Sequence, residues 1–270
     1  MFQEGLVSVI MSTYNDSTFL AGSVRSILAQ TYTNLELLIT DDCSTNPETR
    51  KILEQLAKED SRVNIEYLEK NQGPGYARNN SIKRARGQYI AFCDSDDRWM
   101  PEKLCTQISA MNEGKYALCC SSYIICDTED KHIGINISPK VITYGMMTRD
   151  NKVGCLTAIY DIKLLGKKYF MPTIRKRQDW ALFIKITQDC KKALGITTPL
   201  AYYRKHANSV SSNKFSLVRY NIAVYRDCMG FSKLKSYLYF FFLFLPTYTT
   251  KILTQKYHSW KYIKKDSCNQ

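Results

Sequence analysis

The residues best suited to do chemistry stand at the ends of two apolar runs. Tyr89-Ile90-Ala91-Phe92-Cys93 leads into Asp94-Ser95-Asp96-Asp97, and Leu35-Glu36-Leu37-Leu38-Ile39-Thr40 leads into Asp41-Asp42. Carboxylates crowded this closely repel one another unless a positive partner is near. A hard divalent cation that also holds phosphate oxygens meets that need. Asp-rich turns also follow strands for a plainer reason, because Asp favours turns and helix caps. Two such pairs, with a third polar turn at Ser12-Thr13-Tyr14-Asn15, tip the reading toward a site. Asp97 is read separately, as a cap for the helix entered at Pro101.

The elements that must position these groups alternate. Leu6–Met11, Leu35–Thr40, Val63–Leu68 and Tyr89–Cys93 read as strands, and Phe19–Gln30, 48–59 and 76–86 as helices between them. Pro47 suits a first helical turn and Gly87 a helix stop. Strands alternating with helices predict a doubly wound, Rossmann-like, mostly parallel sheet with flanking helices. In such sheets ligands bind beyond the carboxyl ends of the strands, where the acidic pairs lie. Past Pro101 the pattern loosens into a helix near Met100–Met111, strand-like runs at Tyr116–Cys126 and Val153–Tyr160, a helix at Asp179–Thr187 and a short strand at Thr198–Arg204.

At 270 residues the chain can bury a full core. The formal net charge of +13 implies an anionic partner. From Met229 to Lys265 there are seven lysines and no acid, so this tail supplies more than half of that charge. A nucleic-acid-binding protein would spread its charge over the sheet domain instead. A nucleotidyltransferase acting on sugar phosphates would carry a Gly-rich basic loop for the triphosphate, and the Ser12–Asp16 turn has neither Gly nor Lys. The cysteines show no metal spacing and no C-x-x-C, and the first residues lack the form of a signal peptide, which points to the cytoplasm.

Five motifs in order resemble family 2 glycosyltransferases. They are Val7–Asn15, Ser26–Tyr32, Leu38–Thr45, Asn71-Gln72-Gly73 with Ala77-Arg78-Asn79, and Gly87–Pro101. The resemblance implies a GT-A fold that binds a nucleotide sugar, a UDP-sugar by expectation. It implies that Ser12 and Tyr14 line the nucleotide base, Tyr14 by stacking, and that Asp42 accepts from the uracil N–H. Arg78 would lie near the nucleotide, Asp94 would face the ribose, and Asp96 would bind the Mg or Mn ion that bridges the diphosphate. Cys43 stands where the family commonly has Gly, which implies a turn with an unusual backbone angle.

In the second half, Arg175–Trp180 resembles the family's E-D motif, with Gln178 in place of the Glu. Asp179 would then be the base that deprotonates the acceptor hydroxyl for an inverting displacement. Tyr203–Ser211 resembles a further element, in which His206 joins the metal shell and Arg204 reaches the diphosphate.

The run Tyr237–Leu245 is too short to span a bilayer, which takes about 20 apolar residues. Aromatics flanked by lysines suit an anionic membrane surface. The expected organisation is a nucleotide-sugar-binding half at 1–110, an acceptor-binding half at 111–213 and an amphipathic, partly hydrophobic helical membrane-associating tail at 214–270. The expected protein is a metal-dependent, inverting glycosyltransferase. It would be cytoplasmic, peripheral at the inner face of the plasma membrane, and would act on a glycan or polyprenyl-linked acceptor in bacterial surface polysaccharide assembly. No nucleic-acid partner is expected.

Overall fold

The computed structural model describes residues 2–206 and 214–267. The first half builds β1 (Gln3–Thr13), α1 (Leu20–Leu28), β2 (Leu35–Asp41), α2 (Pro47–Glu59), β3 (Val63–Tyr67), α3 (Pro74–Arg84) and β4 (Gly87–Phe92). There follow β5 (Arg98–Trp99), α4 (Lys103–Gly114), β6 (Leu118–Cys126), β7 (His132–Asn136), β8 (Val141–Thr143), α5 (Tyr144–Met147), β9 (Ile159–Asp161) and α6 (Ile162–Leu165). The chain then forms α7 (Gln178–Cys190), β10 (Lys192–Arg204), α8 (Lys214–Ala223), α9 (Lys233–Tyr239) and α10 (Leu245–Ser267).

The strands make one sheet in the order β3-β2-β1-β4-β9-β6-β10-β5, with β7 beside β6 and β8 beside β10. The block β3-β2-β1-β4 is parallel throughout. Strand β9 then pairs antiparallel with both β4 and β6, so it welds the second half onto the first. Only three residues of the apolar run Val153–Tyr160 and its neighbour join the sheet; Cys155–Thr157 turn as a 3₁₀ helix instead.

Period-two alternation divides the core between the faces of the sheet. Val7, Val9, Met11, Tyr89, Ala91 and Cys93 face a cluster built with α1, α2 and α4. Ile10, Ile90 and Phe92 face the other, which contains Trp180 and Phe183 of α7. Helix α7 is set by its apolar side: Trp180 is buried and donates through Nε1 to the Met147 carbonyl at 2.7 Å.

The C-terminal apolar run is split between core and surface. Phe240 and Phe244 are 4% and 3% exposed and join the Trp180 cluster, along with Val224 and Tyr225. Phe242 is 72% exposed, and Leu234, Leu238, Phe241 and Leu245 are exposed with it at helical spacing. Helix α10 lies along β7, where Ser259 Oγ takes the Ile135 N–H at 3.0 Å. No helix among the described residues is long and apolar enough to cross a membrane.

Candidate active site

The carboxyl ends of β1, β2 and β4 open on one cavity of about 1550 Å³. Parallel pairing brings them level: the Asp42 N–H reaches the Thr13 carbonyl at 2.9 Å and the Cys93 N–H the Ile10 carbonyl at 3.2 Å. Ser12, Tyr14, Asp42, Arg78, Asp94, Asp96, Asp179 and His206 all line this cavity. Residues from six separate segments of the sequence thus meet at one cavity.

Tyr14 is 49% exposed, an open ring surface. Its turn is held by Asn15, a residue at φ 53° that tolerates the left-handed region. Asn15 Oδ1 accepts from the N–H groups of Thr45 and Asn46, each at 2.9 Å, which ties the β1 turn to the β2 turn. Asp42 is buried and accepts from the Gln72 and Gly73 N–H groups at 2.8 and 2.7 Å. Beside it Cys43 adopts φ 63°, so the position commonly held by Gly does need the left-handed conformation.

Arg78, on α3, forms an ion pair with Asp94. Burial alone would pull the Arg78 pKa down, but the Asp94 carboxylate outweighs it and the net shift is upward. The next residue, Asn79, clasps Met171 through both main-chain groups at 2.7 and 2.8 Å, which fixes α3 against the segment before α7. Ser95 is braced on both sides, donating to Asp16 Oδ2 at 2.8 Å and accepting from Ser23 Oγ at 2.6 Å.

Asp96 Oδ2 lies 2.8 Å from His206 Nε2. Burial and the Asp94 charge push the Asp96 pKa up, and His206 offsets part of that. No group of three or more His, Cys, Asp or Glu residues with metal-holding geometry occurs among the described residues. A carboxylate and an imidazole that already converge fit a Mg or Mn ion whose other ligands are phosphate oxygens and water.

Arg204 sits behind the cavity rather than on its lining. It is 5% exposed, and its guanidinium donates to the Asp96 carbonyl at 3.1 Å, pairs with Asp130 at 2.6 Å and lies over the Phe19 ring. Asp97 does not cap the next helix; α4 begins at Lys103 with Glu102 as its N-cap. Instead Asp97 accepts the Arg204 N–H at 2.9 Å. Burial, with Asp96 and Asp94 beside it, pushes the Asp97 pKa well above the usual carboxylate range. The rest of the His206 motif, including Asn208 and Ser209, lies outside the described residues.

Asp179 occupies the first turn of α7, where the helix dipole favours a negative charge. Asn151 Nδ2 donates to its Oδ2 at 3.0 Å. Gln178 also lines the cavity and packs on α3, so closely that a Cβ on Gly75 would come within 2.7 Å of it. Sequence reasoning missed Asn151, and it missed Lys152, Arg177 and Lys251, which line the same cavity. The signal for Lys251 was present in the acid-free tail, but it pointed to a membrane surface.

Comparison with known proteins gives a concordant result. The profile described as Glycosyl transferase family 2 matches residues 8–207. The chain is 38% identical to a Bacillus subtilis (strain 168) protein provisionally named as the teichuronic acid biosynthesis glycosyltransferase TuaG, over 82% of this chain and 88% of that one. It is 37% identical to the Escherichia coli UDP-Glc:alpha-D-GlcNAc-diphosphoundecaprenol beta-1,3-glucosyltransferase WfgD, over 78% of this chain and 81% of that one. Among solved structures, S. aureus TarS 1–349 with UDP-GlcNAc superposes with a TM-score of 0.65 at 20% identity, covering 85% of this chain and 69% of that one. A Pyrobaculum calidifontis mannosyltransferase with GDP-Man and Mn²⁺ gives a TM-score of 0.61 at 16% identity, covering 84% and 64%. These likenesses establish the GT-A fold.

Proposed function

The chain belongs to glycosyl transferase family 2, and on that premise we propose that it moves a sugar from a UDP-sugar to a hydroxyl of a lipid-linked saccharide in bacterial surface polysaccharide assembly. The observation that carries this reading is that Asp96 with His206, and Asp179 with Asn151, face one cavity. One pair suits the leaving group and the other suits the nucleophile.

In this reading Tyr14 stacks on the uracil ring and Ser12 flanks it. Asp42 keeps the Gln72–Gly73 turn in place and accepts from the uracil N–H with its remaining lone pairs. Arg78 holds Asp94 toward the ribose. Asp96 and His206 hold a Mg or Mn ion, which when bound offsets the charge gathering on the departing diphosphate. Arg204 acts from behind, bracing the Asp96 carbonyl and offering its N–H to Asp97.

The acceptor hydroxyl gives its proton to Asp179 as its oxygen bonds to the anomeric carbon. The bond from that carbon to the diphosphate oxygen breaks, and UDP leaves. Asn151 fixes the Asp179 carboxylate through Oδ2, so Oδ1 takes the proton. A single displacement inverts the anomeric centre. Lipid-linked acceptors are found at the inner face of the plasma membrane. The exposed apolar residues of α9 and the turn after it, with Lys233 and Lys235 nearby, would hold the protein there as a peripheral partner of anionic lipid.

The test is transfer from UDP-glucose, with Mn²⁺, to a short-chain diphosphate-linked N-acetylglucosamine. Proton NMR of the product should give a β linkage from the α donor. An α linkage would refute the single displacement through Asp179.

A further inference from the structure

The cavity continues past Asp179 to a wall that the expected organisation left out. Helix α10 forms part of it through Thr247, Lys251, Thr254 and His258. We propose that Lys251, Lys152 and Arg177 form a subsite for the phosphate groups of the acceptor, with α10 as the guide for its lipid chain. This rests on the glycosyltransferase reading above and adds to it the groups that recognise the acceptor.

Three observations support the subsite. First, two lysines share one carboxylate, and a third cation, Arg177, lines the same cavity. Asp150, buried, accepts from Lys152 Nζ at 3.1 Å and from Lys251 Nζ at 3.0 Å. Arg177 spends its Nε on the neutral Asn221, at 2.9 Å, and not on an acid. Burial pulls the Lys251 pKa down, and the like charges of Lys152 and Arg177 pull it further. Such a surplus of half-buried positive charge is relieved when an anion binds.

Second, the cluster is tied to the base. Lys251 Nζ donates to the Asn151 carbonyl at 2.6 Å, and the Asn151 amide donates to Asp179. An anion held by Lys251 therefore lies beside the group that activates the acceptor hydroxyl. Third, the same helix carries Leu253, Tyr257 and Trp260, all exposed. They offer an apolar track for a chain that leaves the cavity. An acceptor with a diphosphate between its saccharide and its lipid matches this order of base, cations and apolar face.

Membrane headgroups carry phosphate too, so the experiment must separate the two sources. Geranyl diphosphate is titrated calorimetrically into the full-length protein saturated with UDP and Mn²⁺, which fills the donor end. Wild type should bind it and should ignore geraniol. Lys251→Gln and Lys152→Gln should each weaken binding about ten-fold, the scale of a lost charge-assisted hydrogen bond, and Lys251→Arg should largely restore it. Lys152→Gln keeps the α10 contact with Asn151, so it remains informative if Lys251→Gln folds poorly. Binding of both Gln variants to phosphatidylglycerol vesicles should match wild type.

Absence of geranyl diphosphate binding in wild type, unchanged affinity in both Gln variants, or a loss confined to vesicles would each overturn the subsite. UDP affinity is read in the same samples. A protein that binds geranyl diphosphate through Lys251 but binds no UDP would keep the subsite and contradict the transferase reading.

Discussion

His206 Nε2 stands 2.8 Å from Asp96 Oδ2, across 110 residues of sequence. The two groups meet because β10 runs parallel to β6 and its end delivers Arg204 and His206 behind the β4 turn. If both are metal ligands, UDP binding should depend on metal through them. Asp96→Ala should weaken Mn²⁺-dependent UDP binding on the order of 100-fold and His206→Ala about ten-fold, spanning the losses seen even for outer-shell partners. Titration calorimetry with and without Mn²⁺ checks this. Equal metal stimulation in Asp96→Ala and wild type would remove Asp96 from the shell.

Cys43 at φ 63° marks a strained turn beside Asp42. An L-residue there costs about 1–2 kcal/mol, and Gly gives back roughly 0.5–1 kcal/mol of that as chain entropy. Cys43→Gly should therefore raise unfolding stability by about 0.5 kcal/mol, while the β-branched Cys43→Val should lower it by about 1 kcal/mol. Urea midpoints at constant m-value report both. A Val variant as stable as the Gly variant would contradict the strain.

The tail residues divide sharply. Phe244→Ala should cost about 3–5 kcal/mol, because it opens a cavity against Trp180. Phe242→Ser should change stability by less than about 0.5 kcal/mol yet release the protein from anionic vesicles in a sedimentation assay. Removing everything after Asn213 is a poor test of membrane binding, since it strips Val224, Tyr225, Phe240 and Phe244 from the core. Vesicle binding that survives Phe241→Ser with Phe242→Ser would rule out this face as the membrane contact.

Lys103 is fully buried, donates to Gln107 Oε1 at 2.7 Å and lies 3.8 Å over the Trp99 ring. Burial lowers its pKa to about 7, although the ring favours the charged form. Between that value and the unfolded value near 10.4, the unfolded chain holds a proton that the folded chain lacks, so stability rises with pH by up to about 1.4 kcal/mol per unit. Below the lowered pKa the full cost of the buried charge is present. Lys103→Met should make the slope of stability against pH less positive than in wild type between about pH 7 and 10; Lys251, also lowered by burial, adds to the rise, and buried thiols such as Cys93 and Cys119, raised by burial, oppose it in both proteins. Denaturant melts across that range check the slope. An unchanged slope would mean that Lys103 is charged throughout.

What could be read from the chain was local. The Asp42 and Asp96 turns follow apolar strands directly, and strand-then-turn patterns are written in adjacent residues. The backbone demand at Cys43 was legible only through the family resemblance, which commonly has Gly there, and φ 63° meets it. The reversal at β9, the bracing of Asp97 by the Arg204 N–H and the meeting of Lys251 with Asn151 are different in kind. Lys251 and Asn151 are 100 residues apart, and their contact depends on how α10 settles against β7. The tail phenylalanines read as one apolar run, yet helical phase sends Phe240 and Phe244 inward and Phe241 and Phe242 outward.

Asp179 carries the central claim, and its isosteric amide tests it most directly. Single-turnover transfer by Asp179→Asn, with UDP-sugar affinity measured alongside, separates chemistry from binding. The account predicts a fall in the transfer rate of about 10²–10⁴-fold, the range for loss of a general base, with donor affinity unchanged. Transfer at the wild-type rate would contradict it.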